Sequence, residues 1–293
     1  MELIRETSSS LPEDVVAEIR KAARREARGG SAAVVLKTIL DNCALAKKNS
    51  TPLCQGTGTL AFYVDETLKK KVTPAVLKEA VAIATERGYL RKNCIDSVTG
   101  KSYDDNCCDG APVVHYVATD GDSAVPEPLT KERVGKVALL MKGGGSENMS
   151  RQYSLPDAAL GAGRDLEGVR KCILDAVVKA QGFGCAPGIL GVCIGGDRAT
   201  AYEVAKEQLL RPLDETASGL AQDDKELQRL EKRILKEANS LEIGPMGLGG
   251  KTTLLGVKIA SRPRVPASFF VTIAYMCWAC RRRSVVLEVG SRK

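Results

Sequence analysis

Histidine occurs once in the 293 residues, as His115. A single imidazole removes most histidine-based metal sites and every catalytic design that needs two. Aromatic residues are also scarce at 4%, too few for the stacking platforms of a single-strand nucleic-acid binder. Long apolar runs are missing: the longest, residues 269–279, is too short to span a bilayer. The opening Met1-Glu2-Leu3-Ile4-Arg5-Glu6 is acidic where a signal peptide is basic and then apolar. These absences predict a cytoplasmic protein with no membrane or nucleic-acid partner. Charge bias is weak, 43 Lys and Arg against 36 Asp and Glu for a net +7, part of it in Arg281-Arg282-Arg283 and the tail Arg292-Lys293. That excess suits an anionic metabolite. With 44% hydrophobic and 27% charged residues, disorder, collagen and coiled coil are excluded.

Helix and strand patterns interleave without a fixed repeat, which predicts an α/β fold with mixed helices and sheet in one large domain, residues 1–293. Ser10-Leu11-Pro12-Glu13 reads as a capping box before a helix that buries Val15, Val16, Ile19 and Ala23 and ends at Gly29-Gly30. A second helix, residues 31–47, carries Val34, Val35, Ile39, Leu40 and Cys43, and Thr51-Pro52 stops it before a loop at 53–59. Thr73-Pro74 opens a third, with Val76, Leu77, Ala80, Val81 and Ala84 inward. Further helices are expected at 166–180, 199–210 and 223–239. Strands are expected at 113–118, 134–141, 189–194, 253–259, 269–276 and 284–289. Residues 97–110 read as an irregular loop, and Gly143-Gly144-Gly145 as a flexible connection that could also bind an anion.

Gly249-Gly250-Lys251-Thr252 suggests a phosphate loop, but the spacing fails: the required first glycine falls at Pro245, and no apolar strand precedes it. Ten cysteines in a chain without an export pattern need a reducing-compartment explanation. Cys277-Trp278-Ala279-Cys280 with Cys107-Cys108 makes a weak zinc pattern, since Cys107 and Cys108 are neighbours rather than a spaced knuckle. Cys43, Cys94, Cys172 and Cys193 read as buried inert thiols. Cys54, Cys185 and Cys277 stand apart, each at a junction beside glycine, proline or a polar motif and far apart in sequence. Three such thiolates suit an iron-sulfur cubane with one open iron, and their wide spacing differs from that of ferredoxins.

The segments Pro52-Leu53-Cys54-Gln55-Gly56-Thr57-Gly58, Tyr89-Leu90-Arg91, Lys142 to Met149, Cys185-Ala186-Pro187, Gly244 to Lys251, and Pro266 through Arg282 carry a resemblance. Over nearly its whole length the chain resembles the α subunit, or N-terminal domain, of the class I iron-sulfur-dependent fumarate hydratases and their L-tartrate dehydratase relatives. The resemblance implies a [4Fe-4S] cluster on Cys54, Cys185 and Cys277, and reversible hydration of a C4 dicarboxylate, fumarate to malate. It implies substrate contacts at Gln55, Arg91 and the Gly145 backbone. The alternatives are an L-tartrate dehydratase α subunit and a non-catalytic regulatory paralogue that keeps a cluster. The latter is motivated by two departures: Gly56 stands where the family has an acidic aspartate, and Val265 where it commonly has a histidine. With no acid at 56, the sequence assigns no catalytic residue, and His115 is read as structural. Single-chain relatives continue into a further domain, so the resemblance also implies a separate β subunit, an α2β2 assembly, and activity only with that partner.

Overall fold

The computed structural model describes residues 1–118, 134–214 and 224–289. Arg292 and Lys293 of the basic tail, and residue 223 at the expected start of a helix, lie outside them. The fold is α/β with mixed helices and sheets, as the sequence predicts. It divides into two compact units. The first comprises Met1–Pro12, Asp41–Gly144 and Ala279–Lys293; the second comprises Glu13–Leu40 and Gly145–Trp278. Among the described residues no helix is long and apolar enough to cross a membrane.

The helices in chain order are α1 (Glu2–Ser9), α2 (Glu13–Arg25), α3 (Ser31–Asn49), α4 (Pro74–Glu86), the short α5 (Gly144–Asn148), α6 (Leu166–Ala180), α7 (Arg198–Gln208) and α8 (Asp224–Asn239). The strands are β1 (Thr59–Asp65), β2 (Cys94–Ile95), β3 (Ser102–Tyr103), β4 (Val113–Val117), β5 (Val134–Lys142), β6 (Arg151–Ser154), β7 (Gly188–Gly195), β8 (Leu254–Arg262), β9 (Phe270–Met276) and β10 (Arg281–Glu288).

The first unit is built on a four-stranded sheet of order β10-β5-β1-β4, in which β1 and β4 run parallel and the other pairs antiparallel. Alternate residues of its central strands, Leu60, Phe62 and Val64 of β1 with Val137, Leu139 and Met141 of β5, pack into a core with Leu77, Val81 and Ala84 of α4 and Ile4 of α1. Helix α4 starts where expected. The Thr73 hydroxyl accepts the Val76 N–H at 3.3 Å, Pro74 takes the first helical turn, where a missing N–H costs nothing, and Gly88 turns the chain away at φ 74°.

The second unit has its own four-stranded sheet, β6-β9-β7-β8, with β7 and β8 parallel and the remaining pairs antiparallel. Val169, Cys172, Ile173, Ala176 and Val177 of α6 share a core with Ile234 and Ala238 of α8 and with β7, β8 and β9. The Asp165 carboxylate caps α6 by accepting the Gly168 N–H at 2.7 Å. Gly191 in the middle of β7 has no room for a side chain, because a Cβ there would meet the Ala205 carbonyl of α7, so a bare backbone sets how closely that helix lies on the sheet.

Several local expectations are corrected. Ser10 is no N-cap of α2; its hydroxyl donates to the Glu6 carbonyl at 2.8 Å and finishes α1, a helix the sequence patterns did not signal. Val34 and Val76 are exposed; the buried stripe of α3 is Ala32, Leu36, Ile39, Cys43 and Ala46. Strands β1, β2 and β6 were not anticipated, and the stretch 97–110 read as an irregular loop contains β3, which pairs with β2 just before it, Cys94 opposite Tyr103 and Ile95 opposite Ser102. The triple glycine is no loose connection, because α5 begins inside it at Gly144.

Candidate functional site

In the first unit the loop after α3 carries Cys54. The backbone of the preceding residue is held at both ends: the Leu53 N–H donates to the Ser8 carbonyl at 2.9 Å, and the Leu53 carbonyl accepts from Asn42 Nδ2 at 3.0 Å. Cys54 is half-buried and Gln55 exposed. Nothing lies within 4 Å of where a Cβ on Gly56 would stand, so the missing acid is a matter of sequence and not of crowding. Two residues on, Gly58 adopts φ 76° and packs onto the Lys142 carbonyl, a place no Cβ could enter.

Thr57, buried between them, joins this loop to Arg91. Its hydroxyl donates to the Arg91 carbonyl at 2.6 Å and accepts the Arg91 N–H at 3.0 Å. Asn106 completes the clamp: its Nδ2 donates to the same carbonyl at 2.9 Å and to Thr85 Oγ1 at 3.0 Å, while its Oδ1 accepts the N–H groups of Asn93 at 2.7 Å and Cys94 at 3.2 Å. Both backbone groups of Arg91 are thus fixed while its side chain is exposed, and among the described residues no carboxylate pairs with its guanidinium. A long cation on a clamped backbone, left without a counter-ion, can fork onto an incoming carboxylate.

Cys185 and Cys277 belong to the second unit. Cys185 sits at φ 52° in a tight turn, its N–H on the Gly182 carbonyl at 3.0 Å, and its own carbonyl accepts the Trp278 N–H at 3.3 Å. That bond brings the two cysteine segments together. The end of β9 is pinned by α5 and the turn after it: the Cys277 N–H donates to Ser146 Oγ of the helix at 3.1 Å and the Tyr275 N–H to Ser150 Oγ just beyond it at 3.2 Å. Tyr275 is the floor of the Cys185 turn. A Cβ on Gly184 would meet its ring, and one on Gly188 would lie 2.5 Å from its Cζ. Burial first, then the nearby Cys277 and Cys185, pushes the Tyr275 phenol well above its usual range, so it stays protonated. Gly145 is exposed at the start of α5, with the Phe183 carbonyl 3.8 Å from its would-be Cβ.

Within each unit, then, the structure brings together Cys185 with Cys277, and the Gln55 loop with Arg91. Gly145 lies in the same unit as the cysteine pair and Cys54 in the same unit as Arg91. Among the described residues no group of three His, Cys, Asp or Glu side chains converges on a point that could hold a metal ion. Access alone suits the three cysteines as thiolate donors: Cys54 and Cys277 are half-buried and Cys185 is exposed, as Cys94, Cys107 and Cys108 are also half-buried, whereas Cys43, Cys172, Cys193 and Cys280 are buried. A thiolate ligand needs that access. One expectation fails here: Cys94 is not a buried inert thiol, for it is half-buried and its sulfur faces that of Cys108. His115 stacks on Tyr63 in the first sheet, with ring centroids 4.9 Å apart. Val265 is 65% exposed, in a segment that the Arg264 guanidinium organises by donating to the carbonyls of Val265, Pro266 and Ser268.

Thr57, Asn106, Ser146 and Ser150 were missed by sequence reasoning. The only local signal is that Thr57 and Ser146 fall inside the motif segments.

A model of the fumarate hydratase (Fumerase) family matches residues 1–286. A Geobacillus stearothermophilus protein named as a class I fumarate hydratase is 46% identical over 292 residues, which cover 98% of this chain but 54% of that protein. The chain therefore spans about half the length of this relative. A Methanocaldococcus jannaschii protein named as an L(+)-tartrate dehydratase subunit alpha is 33% identical over 289 residues, covering 96% of this chain and 94% of its own. The L(+)-tartrate dehydratase subunit alpha of Escherichia coli O157:H7 is 28% identical over 285 residues, 96% of this chain and 87% of its own. With two thiol segments joined in one unit, a clamped arginine in the other and a family match along nearly its full length, the chain belongs to the fumarate hydratase family.

Proposed function

We propose that this chain is the α part of a hydro-lyase that interconverts fumarate and malate, with Cys54, Cys185 and Cys277 holding a [4Fe-4S] cluster. The observation that carries the reading is the Thr57 and Asn106 clamp on Arg91, directly linked to the Cys54-Gln55 loop. It supports the reading because it sets the Arg91 side chain on a fixed backbone in the unit that also carries Cys54. Bound there, the cluster would supply Lewis acidity toward the substrate's oxygens, lowering the cost of breaking the C–O bond.

The chain's own residues would bind and orient. Arg91 takes one carboxylate in a bidentate fork, the Gln55 amide donates to a substrate oxygen, and the backbone N–H at Gly145 offers a further donor unobstructed by a side chain. The turn at Cys185 and the serine-pinned end of β9 hold two ligand positions without relying on the metal. Gly56 can neither give nor take a proton, so the proton step falls to a group outside this loop. A β subunit, in an α2β2 assembly, is the source we propose for it. A cytoplasmic setting agrees with thiols that must stay reduced.

L-tartrate dehydration is the second reading, favoured by the near-full-length match to chains named as α subunits of that enzyme. Anaerobic co-expression with the β-type partner, followed by a panel of fumarate, malate and L-tartrate, separates them. Turnover of fumarate and malate is expected. Turnover of L-tartrate alone replaces our reading with the second, and a loaded cluster with no turnover of any hydroxy diacid points to the regulatory paralogue.

A further inference from the structure

Three cysteines outside the proposed ligand set gather in the first unit, and two of them face each other. The sulfurs of Cys94 and Cys108 are 3.4 Å apart. Their backbones are fixed by bonds in which sulfur takes no part. The Cys94 N–H donates to Asn106 Oδ1, and Cys108 exchanges two hydrogen bonds with Ala111, at 3.1 and 3.3 Å. Cys107, although adjacent, points elsewhere, its thiol directed to the Lys78 carbonyl at 3.3 Å. Neither Cys94 nor Cys108 is buried, and Cys94 lines a cleft of about 320 Å³ together with Asn93, Asn106 and Gly110, room enough for a small oxidant.

We propose that Cys94 and Cys108 are an oxidisable dithiol that closes to an intramolecular disulfide on reaction with a hydroperoxide. One thiol of the pair, as thiolate, attacks a peroxide oxygen; the O–O bond breaks, leaving a sulfenic acid, and the departing oxygen takes a proton and leaves as water. The second sulfur then displaces the sulfenic hydroxyl, which leaves with that thiol's proton as a second water. Two thiols are oxidised by two electrons and one hydrogen peroxide is reduced to two waters. Closure asks the sulfurs to approach from 3.4 Å to about 2.0 Å, a shift of side chains on backbones already held in place.

Burial, then the hydrogen bond with Cys108 and the nearby charges of Cys107 and Asp105, pushes the Cys94 thiol up to about 11. Asn106 lies between the two cysteines and holds the Arg91 carbonyl, so the bond would staple the segment that positions Arg91. That consequence rests on the hydro-lyase reading; the disulfide itself does not.

The test uses the full chain, purified without oxygen and exposed to one molar equivalent of hydrogen peroxide. Remaining thiols are alkylated, and the protein is digested with trypsin without reduction. Cleavage after Lys92 and Lys101 separates Cys94 from Cys108, so a cross-link appears as two joined peptides lighter by two hydrogens. We expect that species in the wild type and in Cys107→Ser, and its loss in Cys94→Ser and Cys108→Ser. Alkylated Cys94 and Cys108 with no joined peptide in the wild type would overturn the proposal, as would a cross-link that vanishes in Cys107→Ser. Because the readout is a mass, an inactive hydro-lyase leaves the result interpretable.

Discussion

Replacing Arg91 by methionine is expected to lower kcat/KM for fumarate hydration by roughly 10²- to 10⁴-fold. Two charge-assisted hydrogen bonds to a substrate carboxylate are lost, each worth about 1.5–3 kcal/mol. Arg91→Lys keeps the charge but not the fork and should fall between the variant and the wild type. Stability should change little, since the guanidinium is exposed and makes no ion pair among the described residues, and such surface positions contribute within about 0.5 kcal/mol. Thr57→Val is the contrasting experiment. It removes a buried hydroxyl that both donates to and accepts from the Arg91 backbone, so it should cost about 1–3 kcal/mol of stability. It should also weaken turnover less than the loss of Arg91 itself, because Asn106 still holds the carbonyl. Steady-state kinetics together with thermal melts separate the two effects. Unchanged kcat/KM in Arg91→Met removes this residue from the substrate.

Gly184→Ala should place a damaging methyl group directly beneath the Cys185 turn. A Cβ there would collide with the buried Tyr275 ring, and the ring cannot retreat because its far side rests on Gly188. Overpacking of this kind costs about 1–3 kcal/mol, which for a protein of this size lowers the melting temperature by up to roughly 10 °C. The turn that presents Cys185 should lose its geometry at the same time, so iron per chain falls with stability. Tyr275→Leu alone should leave a cavity and cost stability. Combined with Gly184→Ala it should cost less than the sum of the two, because the smaller side chain vacates the space the methyl needs. Strictly additive losses would mean that Gly184 and Tyr275 do not share that space.

The elements that were legible in the sequence are those whose signals are local. Helix α6 declares itself through the Asp165 cap and a stripe from Val169 to Val177 with helical spacing, and β7 through an unbroken apolar run bounded by glycines. Helix α1 gave no such signal, because three of its four buried residues are the hydroxylic Thr7, Ser8 and Ser9, which satisfy themselves by donating to backbone carbonyls. Strand β1 is buried on both faces, so it lacks the alternation that marks a half-exposed strand. In α3 the stripe was only partly right: Ile39 and Cys43 face in as expected, but the branched, apolar Val34 faces outward while small Ala32 and Ala46 face in.

The candidate site divides in the same way. Cys54, Cys185 and Cys277 stand at sequence junctions and could be picked out by residue type, whereas Arg91 was legible only through the family resemblance. What positions them could not be picked out. Thr57 reaches across 34 residues to Arg91, and Ser146 across 131 to Cys277, and a hydroxyl in a loop carries no mark of its distant partner. The contact between Cys94 and Cys108 was hidden for a related reason. A cysteine in an undistinguished polar stretch reads as inert until a hairpin turns it toward another.

Iron and acid-labile sulfide, measured on chain purified without oxygen and compared with Cys54→Ser, Cys185→Ser and Cys277→Ser, test the proposed ligand set most directly. About four of each per chain are expected in the wild type, with a marked loss in every serine variant while Cys94→Ser and Cys108→Ser keep theirs. A wild-type chain devoid of both, or serine variants that hold as much as the wild type, would contradict ligation by these three thiolates.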